Sequence, residues 1–555
     1  MADASRRGTE EAVVTAIPTG LAERRNVLDR AHRGDIVGAL GRIDAYGGDR
    51  PRSLRRRLRM LLVVMGPGLV VMAGSNDAGS VSTFAQTGLN YGLRWLWLLP
   101  LLGAGLFVVQ EMVARLGAVT GAGHARLIFE RFGRRWGSFA LADLFLLNLL
   151  TMVTEFIGLQ LGLGYFGVSR FVAVPLGALT VVGLTATGSF RGWERAMFVL
   201  VAGNFTIIPL VTVVHGLHRS AGVLSVGAAH QHGSLLLLAL ALVGATVSPW
   251  QLFLQQSSVV DKRITTRWLW YERLETAVGA AVFALGAAAI LVVCGVAFRG
   301  MRPGGFLDAG RVAHDLGRTA GQWAGGLFAI VLIDGSLLGA GLITLANAYA
   351  VGDVAGVRHS LHRTWPNARA FYAVYAGCVV VAAGIVLAGY HVLALVTLAV
   401  QALAGVLFPS AAVFLLLLCN DRDVLGPWTN PRWLNVVAGA LIAALLVLSG
   451  LLTVKSIVPQ LRPSTTVEAL GGTALGIAVL TAVVWSWLRA PRATAPASVR
   501  ADEPRQTWTM PSLHRLPPPA PSRARTAGLV VLRLYLGVVG VTLVVRALEM
   551  IARGG

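Results

Sequence analysis

The sequence predicts an all-α polytopic membrane protein, and three observations carry that expectation. Of its 555 residues 55% are hydrophobic and 14% charged, with a mean hydropathy of +0.66, whereas soluble domains hold about 45–50% apolar residues. A disordered chain and a soluble enzyme are excluded. Second, 65 Gly and 22 Pro occur without a G-X-Y period, which fits membrane helices, not collagen. Third, the apolar residues gather into runs long enough to cross a hydrocarbon core of about 30 Å at about 1.5 Å per residue.

In order, the runs lie near 58–92, 94–116, 138–164, 170–189, 193–216, 234–258, 270–298, 323–350, 371–389, 391–418, 432–454, 467–488 and 527–550. Twelve are closely spaced and the thirteenth is detached. Residues 1–57 mix charges with Gly and Ala and lack an apolar h-region, so they read as a disordered cytoplasmic tail, not a signal peptide. A ten-helix core is expected over 58–418 and two additional transmembrane helices over 419–489. Residues 490–526 contain Pro517, Pro518 and Pro519 and read as a Pro/Arg-rich cytoplasmic linker. An extra membrane helix is expected within 527–555.

The net charge of +21 and a pI near 11.2 raise the question of a nucleic-acid partner, and the placement of the charges answers it. Arg52, Arg55, Arg56, Arg57 and Arg59 precede the first run. Arg115, Arg126, Arg131, Arg134 and Arg135 follow the second, and Lys262, Arg263, Arg267 and Arg273 follow the sixth. Clusters that recur at alternate loops are the positive-inside signature. They imply a multi-pass protein of the plasma (inner) membrane, its N-terminus in the cytoplasm, its partner the bilayer and no nucleic acid. The 299–322 loop, with Arg299, Arg302, Arg311 and Arg318, dissents from this topology. Cys294, Cys378 and Cys419 have no metal or redox spacing and read as small buried residues.

Two runs are interrupted. The first reads MLLVVMGPGLVVMAG, SNDAGS, VSTFAQTGLNYG; the sixth reads SLLLLALALVGA, TVSPWQ, LFLQQSSVV. Pro249 removes a backbone donor, and Gly74 and Gly79 permit unwound chain. Non-helical backbone survives at membrane depth only where it lines a cavity or is buried in protein. One break opening each five-helix half points to a transporter with inverted repeats and a midplane site.

Asp77, in the first break, is the leading cation ligand, because intramembrane acids mark ion pathways. It is also a good cap for the half-helix that follows. Glu111 lies four residues before Arg115 and is expected to pair with it. Asp143 and Glu155 lie three turns apart in the third run and could share a polar path; Asp334 sits in the eighth. His215, His218, His230 and His232 cluster before the sixth run without regular ligand spacing, so they read as solvated loop residues.

At these residues the chain resembles the NRAMP family of divalent-metal transporters. GPGLVVMAG, NYG before the second run, QEMVARLGAVTG after it and GATVSPWQLFLQQSSV follow the family's segments in order across about residues 60–455. The resemblance implies a LeuT-type five-plus-five inverted repeat with additional C-terminal helices. The family's Asp-Pro-Gly-Asn falls on Asp77, Ala78, Gly79 and Ser80, and its Met-Pro-His on Ser248, Pro249 and Trp250. The implied metal site is then Asp77, Ser80 and Ser248 with the carbonyls of Gly74 and Ala245. Gln251, Gln401, Thr246 and Trp250 are outer-shell candidates, and Glu155 and Asp143 a candidate polar pathway.

The departures agree with one another. Thioethers select softer metals, whereas hydroxyl, carboxylate and carbonyl oxygens suit magnesium and manganese. The family's titratable positions fall on Met152, Trp250 and Gln255, which removes the groups expected to move protons. This pattern resembles the NRAMP-related magnesium transporters and implies uncoupled alternating access for a partly hydrated Mg²⁺ or Mn²⁺, carried as substrate with no cofactor. A proton-coupled Mn²⁺/Fe²⁺ importer and an organic-solute symporter of the same fold are the alternatives.

Overall fold

A computed structural model describes residues 30–44, 53–217, 235–298, 308–389, 393–457, 505, 508–513, 516–517 and 525–537. The described residues are mostly helical. In order come α1 (Leu54–Val64), α2 (Pro67–Ala73), α3 (Ala78–Tyr91), α4 (Leu98–Thr120), α5 (His124–Phe132), α6 (Arg134–Tyr165), α7 (Arg170–Ala186), α8 (Phe190–Gly203) and α9 (Ile207–Leu217). Then follow α10 (Leu235–Thr246), α11 (Pro249–Asp261), α12 (Leu269–Ala297), α13 (Ala309–Thr319), α14 (Gln322–Ala355), α15 (Arg369–Ala388), α16 (Leu393–Cys419), α17 (Arg422–Leu425) and α18 (Arg432–Ile457).

Among the described residues nine helices are long and apolar enough to cross a membrane, α8 with α9 and α10 with α11 each making one such crossing. With the broken pair α2 and α3 and the shorter α7 they make eleven, two runs of five that each open on an interrupted helix, followed by α18. Five is odd, so the second run crosses in the opposite sense to the first, which is the inverted repeat. The span expected over 467–488 lies outside the described residues.

Both interruptions have a local cause. At the first, Asp77 caps α3; at the second, Pro249 stands at the first position of α11, where a missing N–H costs nothing. Elsewhere helices approach closely through small residues, as expected where lipid supplies no hydrophobic drive. A Cβ on Gly244 of α10 would strike the Gln401 backbone of α16, and one on Gly405 would strike the Leu240 carbonyl.

The stretch expected to be a disordered tail is folded at residues 30–44, which is a correction to that expectation. Strand β1 (Ile36–Gly38) pairs antiparallel with β2 (Gly41–Ile43), Ile36 opposite Ile43, around a two-residue turn. Ile36 and Ala39 are buried. The hairpin is held by distant groups: Arg195 Nε donates to the Ala39 carbonyl at 3.0 Å, the Ala39 N–H donates to Glu194, and Arg263 donates to the carbonyls of Ala31 and Asp35 at 3.0 and 2.8 Å. A segment this short gets its order from those partners, not from its own composition.

The described part of the Pro/Arg-rich linker packs on the bundle. Trp508, Met510 and Leu513 are buried, Met510 N–H donates to the Val119 carbonyl at 3.3 Å, and Arg131 donates to the Pro517 carbonyl at 2.9 Å. Residues 525–537 are helical and dock through buried Leu532 and the Tyr535 hydroxyl, which meets Ser449 Oγ at 2.6 Å.

Candidate metal centre

The two interruptions meet at one level of the bundle. α2 ends at Gly74, whose N–H donates to the Val70 carbonyl at 2.9 Å, and α3 begins after Asp77, whose Oδ1 accepts from the Ser80 N–H at 2.8 Å. Asp77 is buried, and its carboxylate faces the positive end of the α3 dipole. Glu155, from the middle of α6, reaches the same terminus: its Oε2 accepts from the Ala78 N–H at 3.1 Å. Its other oxygen has no hydrogen-bond partner. Gly339 of α14 makes this approach possible, since a Cβ there would run into both Glu155 and Asp77.

Ser80 closes the distance to the second break, its hydroxyl donating to the Ala245 carbonyl at 2.9 Å. Gln251 of α11 spans the breaks from the other side. Its Nε2 donates to Ser75 Oγ at 2.6 Å and to the Thr246 carbonyl at 3.3 Å, and its Oε1 accepts from the Ser248 N–H at 3.3 Å. Ser248 Oγ and Thr246 Oγ1 donate back to the carbonyls of Gly244 and Leu242, at 2.7 and 2.8 Å. Each hydroxyl oxygen keeps acceptor capacity. Gln401 lies over the first break, where a Cβ on Gly79 would strike it, and its Nε2 has no partner. Trp250 is fully buried with its Nε1–H unpaired.

The structure therefore brings together Asp77, Ser80 and Ala245, with Ser248, Thr246, Gln251, Gln401 and Gly74 around them and Glu155 at the edge. Asp143 stands apart: it accepts from Ser410 Oγ at 2.8 Å, three turns along α6 from Glu155. Asp334 accepts from Asn204 Nδ2 at 3.0 Å. Glu111 pairs with Arg115 at 3.3 Å, as expected, and also with Arg273 at 2.7 Å. His218, His230 and His232, and the His215 side chain, lie outside the described residues.

Sequence reasoning did not assign Ser75, Asn76 and Gln110 to the site. Asn76 is buried with Oδ1 unpaired, and Gln110 Nε2 reaches Gln251 Oε1 at 3.4 Å. Adjacency to Asp77 was the available signal for Ser75 and Asn76; nothing in the sequence marks Gln110. Among the described residues no three His, Cys, Asp or Glu side chains converge as a metal cluster. A cation between the breaks would depend on neutral oxygens beside one or two carboxylates. A cavity of about 650 Å³ lies elsewhere, between α6 and the loop helix α13, where Arg170, Arg311, His314 and Arg318 are part of its wall.

Two histidines outside the spans have opposed electrostatics. Burial holds the His124 imidazole down to about 4, although Nδ1 meets Gln256 Oε1 at 2.8 Å. Burial also works against charge on His359, but Asp353, 3.1 Å from Nε2, outweighs it and raises the imidazole above its ordinary value.

Residues 68–455 match the family described as Nramp, natural resistance-associated macrophage protein-like. A Burkholderia ambifaria protein named divalent metal cation transporter MntH is 27% identical over 430 residues, spanning 74% of this chain and 91% of that protein. A Pseudomonas aeruginosa protein named divalent metal cation transporter MntH 1 is 28% identical over 409 residues, 69% and 89% of the two. The fold is similar to the crystal structure of the Eremococcus coleocola manganese transporter in complex with an aromatic bis-isothiourea compound. The TM-score is 0.57 at 20% identity, covering 79% of this chain and 97% of that one.

Proposed function

The chain belongs to the Nramp family, and from that premise we propose that it carries divalent metal cations across the plasma membrane, Mg²⁺ first and Mn²⁺ as a second substrate. Names of the relatives support the cation class. The observation that carries the finer reading is the chemistry of the paired breaks: Asp77, Ser80, Ser248 and the carbonyls of Gly74 and Ala245 offer oxygen alone, with neither sulfur nor imidazole in the set. Hard oxygen donors suit Mg²⁺ and Mn²⁺. Mg²⁺ dehydrates reluctantly, and two short hydroxyl side chains leave room for water, so the ion is carried partly hydrated, held by Asp77 with Gln251 and Gln401 outside its water. Thr246 and Trp250 complete that outer layer.

Transport is by alternating access, the half-helices α2 and α11 moving about the breaks while the cytoplasmic N-terminus and Arg-rich loops stay on one side. Coupling to protons is absent, because Met152, Trp250 and Gln255 do not titrate usefully. A second reading, a proton-coupled Mn²⁺/Fe²⁺ importer, draws support from Glu155 at the edge of the site, with Asp143 farther along the same helix. The deciding experiment is flux in proteoliposomes for Mg²⁺, Mn²⁺ and Ca²⁺ with lumenal pH recorded. Mg²⁺ and Mn²⁺ uptake without acidification is expected; acidification matched to Mn²⁺ uptake would favour the second reading.

A further inference from the structure

A second buried cluster of ionisable groups lies away from the breaks and has no part in the reading above. Glu272 and Glu275 stand three residues apart at the start of α12, on one face, and neither exposes any surface. The helical spacing sets their carboxyls side by side. Glu275 Oε1 receives the start of α2, accepting from the N–H groups of Gly66 at 2.5 Å and Leu69 at 2.9 Å. Lys262, just past α11, donates to the Met65 carbonyl at 2.6 Å and to Glu194 Oε1 at 2.5 Å. The Gly-Pro-Gly that opens α2 fits this cradle closely: a Cβ on Gly66 would strike Glu194 and Lys262, and one on Gly68 would meet Thr276.

Three carboxyls thus face one ammonium, all out of water. Two adjacent carboxylates out of water repel each other unless one of them holds a proton. Gln255 of α11, fully buried, donates from Nε2 to Thr276 Oγ1 at 3.3 Å, leaving Oε1 without a donor. Glu272 Oε1 and Oε2 and Glu275 Oε2 lack donors too. The cluster is a set of acceptors short of hydrogen, and a proton is the ligand that fits.

We propose that Glu272 and Glu275 hold one shared proton while α2 is docked, and that losing this proton releases α2. Docking hides the pair from water. Swinging α2 away removes the Gly66 and Leu69 donors and hydrates both carboxyls, so the undocked form ionises. By linkage, a state that binds one more proton gains on the other by up to about tenfold per pH unit. Acid favours docking and alkali favours release.

The neighbouring charges leave this assignment intact. Glu194 faces the pair from α8 through Lys262, and α2 brings no titratable side chain. Arg273 turns to Glu111 at 2.8 Å, Asp261 is taken by Ser360 Oγ and Tyr349 at 2.5 Å each, and Arg55, Arg57 and Arg59 of α1 are exposed. The pair lies by Lys262 and Arg263, on the face that the positive-inside rule gives to the cytoplasm. A proton that binds and leaves on one side crosses nothing, so the inner gate senses cytoplasmic pH without proton coupling.

The inference needs α2 to move and is independent of which ion is carried, so the test uses no metal. Spin labels at the exposed positions Leu58 and Trp433, in a background lacking the native cysteines, report the α1–α2 arm by electron-electron distance measurement from about pH 5 to about pH 9. A longer-distance population should grow with pH by up to about tenfold per unit, and E272Q, which cannot ionise, should abolish that growth. E275Q makes the same prediction should E272Q fold poorly. A distance distribution that ignores pH in the unsubstituted arm, or one that responds equally in E272Q and E275Q, overturns the proposal.

Discussion

The Ser80 hydroxyl donates to the Ala245 carbonyl at 2.9 Å, a bond that joins the two broken helices at the level of both breaks. Asp77, three residues earlier, caps the half-helix that carries Ser80. The bond between the breaks and the helix start are therefore one construction.

Asp77→Ala should abolish divalent uptake in proteoliposomes and, by removing a cap, cost about 1 kcal/mol of stability. Asp77→Asn keeps a capping oxygen, so its melting temperature should return toward the parent value while flux does not. Full uptake by a folded Asp77→Ala protein would remove Asp77 from the site. Ser80→Ala should slow transport by about tenfold at most, because the lost bond is worth about 1 kcal/mol and water can take the place of a neutral ligand.

Cd²⁺ profits most from sulfur and should inhibit Mn²⁺ uptake no more strongly than its charge and size allow. Ser248→Met puts a thioether beside Asp77; competition curves should shift toward Cd²⁺ by about tenfold or more while Mg²⁺ flux falls. Strong Cd²⁺ inhibition of the unsubstituted protein contradicts the oxygen-only site.

An imposed pH gradient should not drive Mn²⁺ accumulation, since a relay through a membrane needs Asp, Glu or His side chains and Met152, Trp250 and Gln255 supply none. Glu155→Gln is the control. If a gradient drives uptake and this substitution stops it, Glu155 is a coupling group.

His359 makes stability depend on pH. Its imidazole is raised in the folded protein by Asp353 against the cost of burial. Its contribution is full below the ordinary value of about 6.5 and is lost as pH rises through the higher folded value. His124, lowered by burial to about 4, acts oppositely, losing stability as pH falls below about 6.5. Melting curves of the parent and His359→Gln at pH values on both sides of neutrality should therefore converge at high pH and separate at low pH; a constant gap would mean that His359 stays neutral.

The spans and both interruptions were legible because apolar length, Pro249 and an acid at membrane depth are local signals. Asp77, Ser80 and Ala245 were legible from motif order. Gln251 was expected as an outer partner, but its reach to Ser75 depends on how α11 lies against α2. Glu272 and Glu275 escaped notice since acids in the first turns of a helix are ordinary, and only the Gly66 and Leu69 N–H groups give them another role. The hairpin was missed for a similar reason: its partners lie far downstream.

That separation has a consequence for how the molecule is made. Ala39 is held by Glu194, 155 residues later, and Ala31 by Arg263, 232 residues later. Synthesis runs at about 5–20 residues per second, so residues 30–44 leave the ribosome roughly ten to fifty seconds before Arg263 exists. Residues 30–44 are therefore made well before they can close, and a product arrested ahead of Arg263 carries them without the arginine that ties Ala31 and Asp35 down.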